Sequence, residues 1–187
     1  MKSFFSDFNN SAAELKNVRC LTVTGILTAA FIVLDMFSFR PTEFIKVNFA
    51  FIALAAVGML YGPVPAMLSA AAGDLVGCIL SGQAPLPLLS TTAVLTGLVY
   101  GTLLYKKEGF KLVVFSVIAR LADSFLICLL LNTPILMYYG FMSSAPQQLY
   151  LRFGKTAAEL IFFIPLTITV LPAVKAVYGR TVNHKSI

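Results

Sequence analysis

The chain contains no tryptophan, a single histidine and few charged side chains. Charged residues make up 12% of its 187 residues, whereas hydrophobic residues make up 58%. The three cysteines, Cys20, Cys78 and Cys128, are far apart and lie within apolar stretches. Because the sequence has no CxxC pair and no Cys/His cluster, we expect no metal site. The polar connections are also too short for a soluble catalytic domain, so most of the chain is expected to lie in a membrane.

Six apolar stretches have the length of transmembrane helices. A helix of about 20 apolar residues crosses the hydrocarbon core of a bilayer. The predicted spans cover residues 20–37, 47–61, 63–80, 86–105, 112–138 and 156–178. The sequence therefore predicts an all-α integral membrane protein with a six-transmembrane-helix bundle.

The distribution of Lys and Arg predicts the orientation of this bundle. With both termini cytoplasmic, nine of these residues lie in the inner segments and four in the outer segments, and basic residues are in excess on the cytoplasmic side. The same bias explains the net charge of +6 without a nucleic-acid partner. We expect one domain, residues 1–187, with a cytoplasmic N-terminal segment (1–19), the helix bundle (20–178) and a cytoplasmic tail (179–187). In the first segment, the capping-box pattern Ser11-Ala12-Ala13-Glu14 predicts the start of a helix.

Three ionisable residues, Asp74, Arg120 and Asp123, lie inside the predicted spans. An unpaired charge at this depth is costly, so we expect the three to form a buried ionic cluster. The cluster would serve as a neutral structural clamp. The alternatives are a stand-alone proton-coupled transporter and an intramembrane enzyme that uses Asp74 and Asp123 as general acid and base.

The outer side of the predicted bundle gathers cations, aromatic rings and amides. Arginine can bind a carboxylate through two parallel hydrogen bonds, and an aromatic ring can stack on a heterocycle. This convergence indicates a pocket for an anionic, aromatic ligand, although solvated loops, a plain turn and an aromatic belt contain similar residues. The candidate substrate-binding residues are Phe39, Arg40, Lys46, Gln83, Asn132, Tyr138, Tyr139, Arg152, Lys155 and Glu159.

Small residues form a further pattern on the first predicted span. Gly25 and Ala29 are four residues apart, and Ala30 lies beside them. Small residues at this spacing let two helix backbones approach closely in a membrane. The pattern is typical either of packing within the bundle or of a docking face for a second membrane protein.

Four stretches of small and apolar residues are distinctive. They are KVNFAFIALAAVGMLYGP at residues 46–63, AAAGDLVG at 70–77, GLVYG at 97–101 and LNT at 131–133. With them the chain resembles the substrate-binding S components of energy-coupling factor (ECF) vitamin transporters, most closely the folate type. The resemblance covers nearly all of the chain after residue 20.

The resemblance implies a subunit that captures a vitamin with high affinity at the outer face of the cell membrane. Such a subunit has no ATPase and no cofactor of its own. A transmembrane T component and two cytoplasmic ATPase subunits use ATP to drive transport, while the S component topples in the membrane. Gly25 and Ala29 would match the family's docking motif, with glycine in place of the usual first alanine.

The resemblance makes folate the leading ligand. From their predicted side of the membrane and their chemistry, we expect Arg40, Lys46, Arg152 and Lys155 to bind the glutamate carboxylates of folate. We expect the aromatic, amide and acidic candidates to bind its pterin. Two departures leave another vitamin open as the alternative. Gln83-Ala84-Pro85-Leu86-Pro87 replaces an apolar-aromatic pattern of folate-type sequences, and Glu159 matches no folate-specific position.

Overall fold

The computed structural model describes residues 2–42, 45–47, 49–82, 84–140 and 146–183. Within these residues the chain is helical apart from one short antiparallel hairpin, β1 (Phe39–Thr42) and β2 (Ile45–Val47). A π-helical segment (Asp123–Leu131) joins α6 to α7. The α-helices are α1 (Lys2–Glu14), α2 (Val18–Met36), α3 (Phe51–Tyr61), α4 (Pro63–Leu80), α5 (Pro87–Leu104), α6 (Gly109–Ala122), α7 (Asn132–Tyr138) and α8 (Pro146–Asn183).

Five helical stretches of the described residues are long and apolar enough to cross a membrane. They are Val18–Met36, Pro63–Leu80, Pro87–Leu104, Gly109–Tyr138 and Thr156–Gly179, which correspond to five of the six predicted spans. Of the other predicted span, 47–61, only the last 11 residues form a helix, α3, and Val47 belongs to β2. At 1.5 Å per residue α3 is about 16 Å long, roughly half the thickness of a hydrocarbon core. The count of six spans and the cytoplasmic position of both termini stay predictions.

Helix α3 lies in the interior of the bundle. Most of its side chains are buried, from Phe51 to Tyr61. A helix that is apolar on all sides is buried on all sides, so its short length is compatible with a central position. Its core partners include Tyr100 on α5 and Phe163 on α8. The core of the bundle is therefore centred on α3, between α5 and α8.

Ser11 does not begin a helix, contrary to the capping-box prediction. It lies within α1 and is fully buried. Its hydroxyl donates to the carbonyl oxygen of Tyr61 at 2.7 Å and accepts from the backbone N–H of Val64 at 3.1 Å. These groups belong to the end of α3 and the start of α4, which lack partners within their own helices. The serine therefore fastens α1 to the α3–α4 turn, and Asn17 supplies the N-cap of α2 instead.

Glycines allow α3, α4 and α5 to pack with their backbones in contact. A Cβ atom at Gly97 would lie 2.6 Å from the carbonyl oxygen of Ala66. At Gly101 it would overlap the Cα atom of Pro63, and at Gly58 it would lie 2.8 Å from the backbone nitrogen of Gly101. Neighbouring backbone atoms cannot move aside as a flexible side chain could, so one face of α5 is fixed against α3 and α4.

Gly101→Ala should strongly destabilise the protein. The added methyl group meets the backbone of α4, and relieving the overlap must separate the two helices. We expect a loss of about 3 kcal/mol or more, at the upper end for an overpacked core. Thermal unfolding of the detergent-solubilised protein measures the loss. Gly25→Ala is the matched control, because no atom lies within 4 Å of a Cβ there; equal melting of both variants would contradict the close α4–α5 packing.

Candidate functional site

A row of hydroxyl side chains on α5 positions polar groups inside the bundle. Thr92, Thr96 and Tyr100 are four residues apart and therefore lie along one stripe of the helix. Thr92 donates to Asn132 Oδ1 at 2.7 Å, and Thr96 donates to Asp123 Oδ1 at 3.1 Å. Tyr100 donates to Asp123 Oδ2 at 3.3 Å. We call the three hydroxyl residues with Asn132, Asp123 and Arg120 the polar seam.

Arg120 lies at the end of the polar seam that contains Tyr100, and Asn132 lies at the other end. Its Nη1 donates to Asp123 Oδ2 at 2.9 Å and to the Tyr100 hydroxyl at 3.5 Å. The side chains of Arg120 and Asp123 are only 8% and 14% exposed, respectively. A buried ion pair requires further hydrogen bonds to offset its desolvation, and Thr96 and Tyr100 supply them to the carboxylate.

Aromatic rings and a second carboxylate surround the guanidinium. Arg120 Cζ lies 4.2 Å from the ring centroid of Phe51 and 5.0 Å from that of Phe163. Cations at this distance are attracted to the face of an aromatic ring. Glu159 on α8 is buried and also attracts the guanidinium electrostatically. The charge at the centre of the bundle is therefore enclosed by α3, α5, α6 and α8.

Asp74 lies apart from this ion pair. Ser90 on α5 donates to Asp74 Oδ2 at 2.6 Å. Within the described part of the chain, Asp74 forms no ion pair with Arg120. The structure therefore brings together two members of the expected three-residue cluster and pairs the third with a neutral donor, because Ser90 rather than Arg120 faces it across α4 and α5. Since Asp74 and Asp123 have separate partners, they are not arranged as an acid–base pair.

The predicted binding residues fall into four groups by their position and by what the structure describes. Asn132 and Glu159 are described with their surroundings, inside the bundle. Tyr138 ends α7 and Tyr139 follows it, with their ring centroids 5.5 Å apart, and Tyr138 is largely exposed. Gln83 lies outside the described residues. Only the backbone is described for the last group, which comprises Phe39 and Arg40 on β1, Lys46 on β2, and Arg152 and Lys155 on α8.

The β1–β2 hairpin, which belongs to the predicted first outer loop, lies beside the helix that carries Glu159. Strand β2 contacts α8. Just after β2, the ring of Phe49 meets Phe163 edge to face, with the centroids 5.2 Å apart. Phe163 in turn lies against Arg120. The segments bearing Arg40, Lys46 and Glu159 are thus neighbours in space although they are far apart in the sequence.

The sequence reasoning missed five residues of this region: Thr92, Thr96, Tyr100, Phe51 and Phe163. The first three do have a signal, since polar side chains recur every four residues within an otherwise apolar span. The two phenylalanines have none, because phenylalanine is common in spans that face lipid. Their role depends on which helices surround Arg120, and hydropathy does not determine this.

The predicted docking residues lie on the outside of the bundle. Gly25 and Ala29 are exposed and Ala30 is half-buried on α2. Among the described residues, nothing lies within 4 Å of a Cβ built at Gly25, and Cys20 is the single fully buried residue of α2. On another side of the helix, Thr28 donates to Ser69 of α4 at 2.9 Å. Gly25 and Ala29 are therefore not closely packed against the described residues.

Comparison with known proteins identifies a matching family and similar solved structures. A family model described as "ECF-type riboflavin transporter, S component" matches residues 15–178. Among solved structures, the chain is similar to FolT in a crystal structure with bound folic acid, with 27% sequence identity and a TM-score of 0.69. That match covers 84% of this chain and 91% of the FolT chain. A comparison with curated proteins gave no match.

Proposed function

Because the chain belongs to the family of ECF-type riboflavin transporter S components, we propose that it captures folate at the outer face of the cell membrane. Membership makes it a membrane-embedded, multi-pass transport subunit and not an enzyme. The observation that carries the choice of folate is the similarity, over 84% of the chain, to FolT with bound folic acid. In the proposed arrangement six helices cross the membrane and both termini are cytoplasmic.

The family model and the FolT structure name different vitamins, and charge favours folate. Folate ends in glutamate carboxylates, whereas the ribityl chain of riboflavin is neutral. A carboxylate that leaves water needs cationic partners. The outer segments supply Arg40, Lys46, Arg152 and Lys155, and the strand that carries Lys46 contacts the helix that carries the last two. A neutral vitamin would not need these four cations.

The pterin of folate would bind deeper, next to the polar seam. Thr92 holds the amide of Asn132 by donating to its oxygen, which leaves the amide nitrogen as the donor toward a ligand. Glu159 can accept hydrogen bonds from the amino group and ring N–H of the pterin. Phe39, Tyr138 and Tyr139 would supply flat walls, and Gln83 a further amide.

Transport would require partner subunits. The exposed small residues of α2 fit a docking surface for the transmembrane T component, and two cytoplasmic ATPases would provide the energy. The subunit itself would need no cofactor, because ATP is used by its partners.

Replacing Arg40 and Arg152 together by alanine should weaken folate binding selectively. Each charge-assisted hydrogen bond contributes about 1.5–3 kcal/mol, so we expect affinity for folate to fall at least about tenfold. Pteroate lacks the glutamate, and its affinity should change by about threefold or less on the same scale. Isothermal titration of the purified protein with folate, pteroate and riboflavin makes the comparison. Lys111→Ala, at an exposed position of α6, is the charge control.

The same titration can reject the proposal in two ways. Binding of riboflavin but not folate by the unmodified protein would make the vitamin wrong. Equal losses for folate and pteroate in the double variant would show that these arginines do not bind the glutamate.

A further inference from the structure

We propose that Arg120 is a recognition residue, and that its Nε–H donates to a ring carbonyl oxygen of the captured vitamin. The inference rests on the proposed function, because it names an atom of the vitamin that a buried residue of the bundle would bind. It gives the ion pair of the polar seam a role in selecting the ligand as well as in holding the helices together.

One donor of the buried Arg120 guanidinium has no acceptor among the described residues. Arg120 is 6% exposed, and its Nε is buried without a hydrogen-bond partner among the described residues. Its Nη1 is already engaged by Asp123 and Tyr100. Leaving a buried donor unpaired is costly, and most such donors in native proteins are paired. An acceptor placed at Nε would therefore be stabilising.

The charges around Arg120 favour a neutral acceptor at Nε. Asp123 lies 2.9 Å from Nη1 and already compensates the positive charge. Glu159 adds a further negative potential at the guanidinium. A ligand carboxylate placed at Nε would be repelled by these side chains at short range in a medium of low dielectric constant. A neutral acceptor, such as a ring carbonyl, gains the hydrogen bond without this repulsion.

Aromatic rings next to Arg120 favour a flat ligand. The rings of Phe51 and Phe163 lie 4.2 Å and 5.0 Å from Arg120 Cζ, and Phe49 meets Phe163. Aromatic side chains favour a flat ring as their neighbour over a flexible chain. A heterocycle that carries a carbonyl next to a ring N–H meets both requirements. The pterin of folate is such a ring, and its glutamate tail is not.

The test compares folate with aminopterin, in which an amino group replaces the ring carbonyl. An N–H donor on the protein attracts the carbonyl and opposes the amine. In the unmodified protein we therefore expect folate to bind at least about tenfold more tightly than aminopterin. In Arg120→Lys, which keeps a cation opposite Asp123 but lacks Nε, the ratio of the two affinities should fall about tenfold.

A second variant covers the case in which Arg120→Lys fails to fold. Arg120→Met combined with Asp123→Leu removes both charges together, and the affinity ratio should fall by the same factor. Arg19→Lys, the same substitution at an exposed arginine, is the matched control and should leave the ratio unchanged.

The outcomes separate the inference from the function on which it rests. An unmodified protein that binds neither ligand overturns the proposed function. An unmodified protein that binds both, with an affinity ratio that persists in the lysine and the double variant, overturns the role of Nε and leaves folate capture standing.

Discussion

Arg120→Leu should destabilise the bundle more than any substitution on its surface. The change leaves the Asp123 carboxylate buried without the cation that lies 2.9 Å from it. Breaking a buried pair by removing one partner costs roughly 3–5 kcal/mol. Thr96 and Tyr100 still donate to the carboxylate, which places the expected loss near the lower end of that range. Unfolding of the solubilised protein by denaturant, followed by circular dichroism, measures it.

The double variant Arg120→Leu with Asp123→Leu should recover much of this stability. Replacing both members of a buried pair by apolar residues is often neutral, because the desolvation of two charges disappears together with their attraction. Arg19→Leu, at an exposed position, is the control for loss of an arginine alone. If the single variant were as stable as the unmodified protein, the pair would not be buried as the structure shows. If the double variant were no more stable than the single one, the loss would come from the packing of the arginine side chain instead.

The ends of several helices follow from the sequence because local chemistry decides them. The predicted span 63–80 coincides with α4 (Pro63–Leu80). Gly62 adopts a positive φ of 88° there, and proline begins the next helix. Proline lacks the N–H that a first helical turn leaves unpaired, and glycine has no Cβ to oppose a positive φ. These are properties of single residues, so they can be predicted without knowing the tertiary structure.

Contacts between helices could not be predicted in the same way. The sequence gives α3 the hydropathy of a membrane span, but its short length depends on the hairpin that precedes it. Ser11 resembles a helix cap, yet it bonds to a turn that is 50 residues away. Tertiary packing brings that turn near Ser11, and a pattern within one segment carries no information about it.

In the candidate site, too, local contacts could be predicted from the sequence and contacts between helices could not. Arg120 and Asp123 are three residues apart in one continuous helical stretch, so their contact could be predicted from the spacing alone. Asp74 was expected to join them, but its partner Ser90 belongs to another helix. The residues Thr92, Thr96 and Tyr100 were missed because threonine and tyrosine are tolerated in spans for many reasons. Only the facing helix shows that they bond to Asn132 and Asp123.

Replacing Gly25 and Ala29 together by leucine should abolish transport and preserve folate binding. Both residues are exposed on α2, and no described atom lies within 4 Å of a Cβ at Gly25. The isolated subunit therefore has room for larger side chains. A docked partner helix does not, because small residues allow close approach of two backbones in a membrane and leucine holds them apart. We expect affinity for folate to change by about twofold or less, and ATP-driven uptake to fall at least about tenfold.

Two measurements on the same variant distinguish docking from folding. Titration of the purified subunit reports capture, and uptake into vesicles that contain the T component and the two ATPases reports transport. Ala72→Leu is the matched control, since Ala72 is an exposed alanine on α4 and not on α2, and it should retain both activities. Uptake at the level of the unmodified protein would show that this face of α2 is not the docking surface. A parallel loss of binding and uptake would instead assign Gly25 and Ala29 to the stability of the subunit, because a docking surface is needed only when the partner subunits are present.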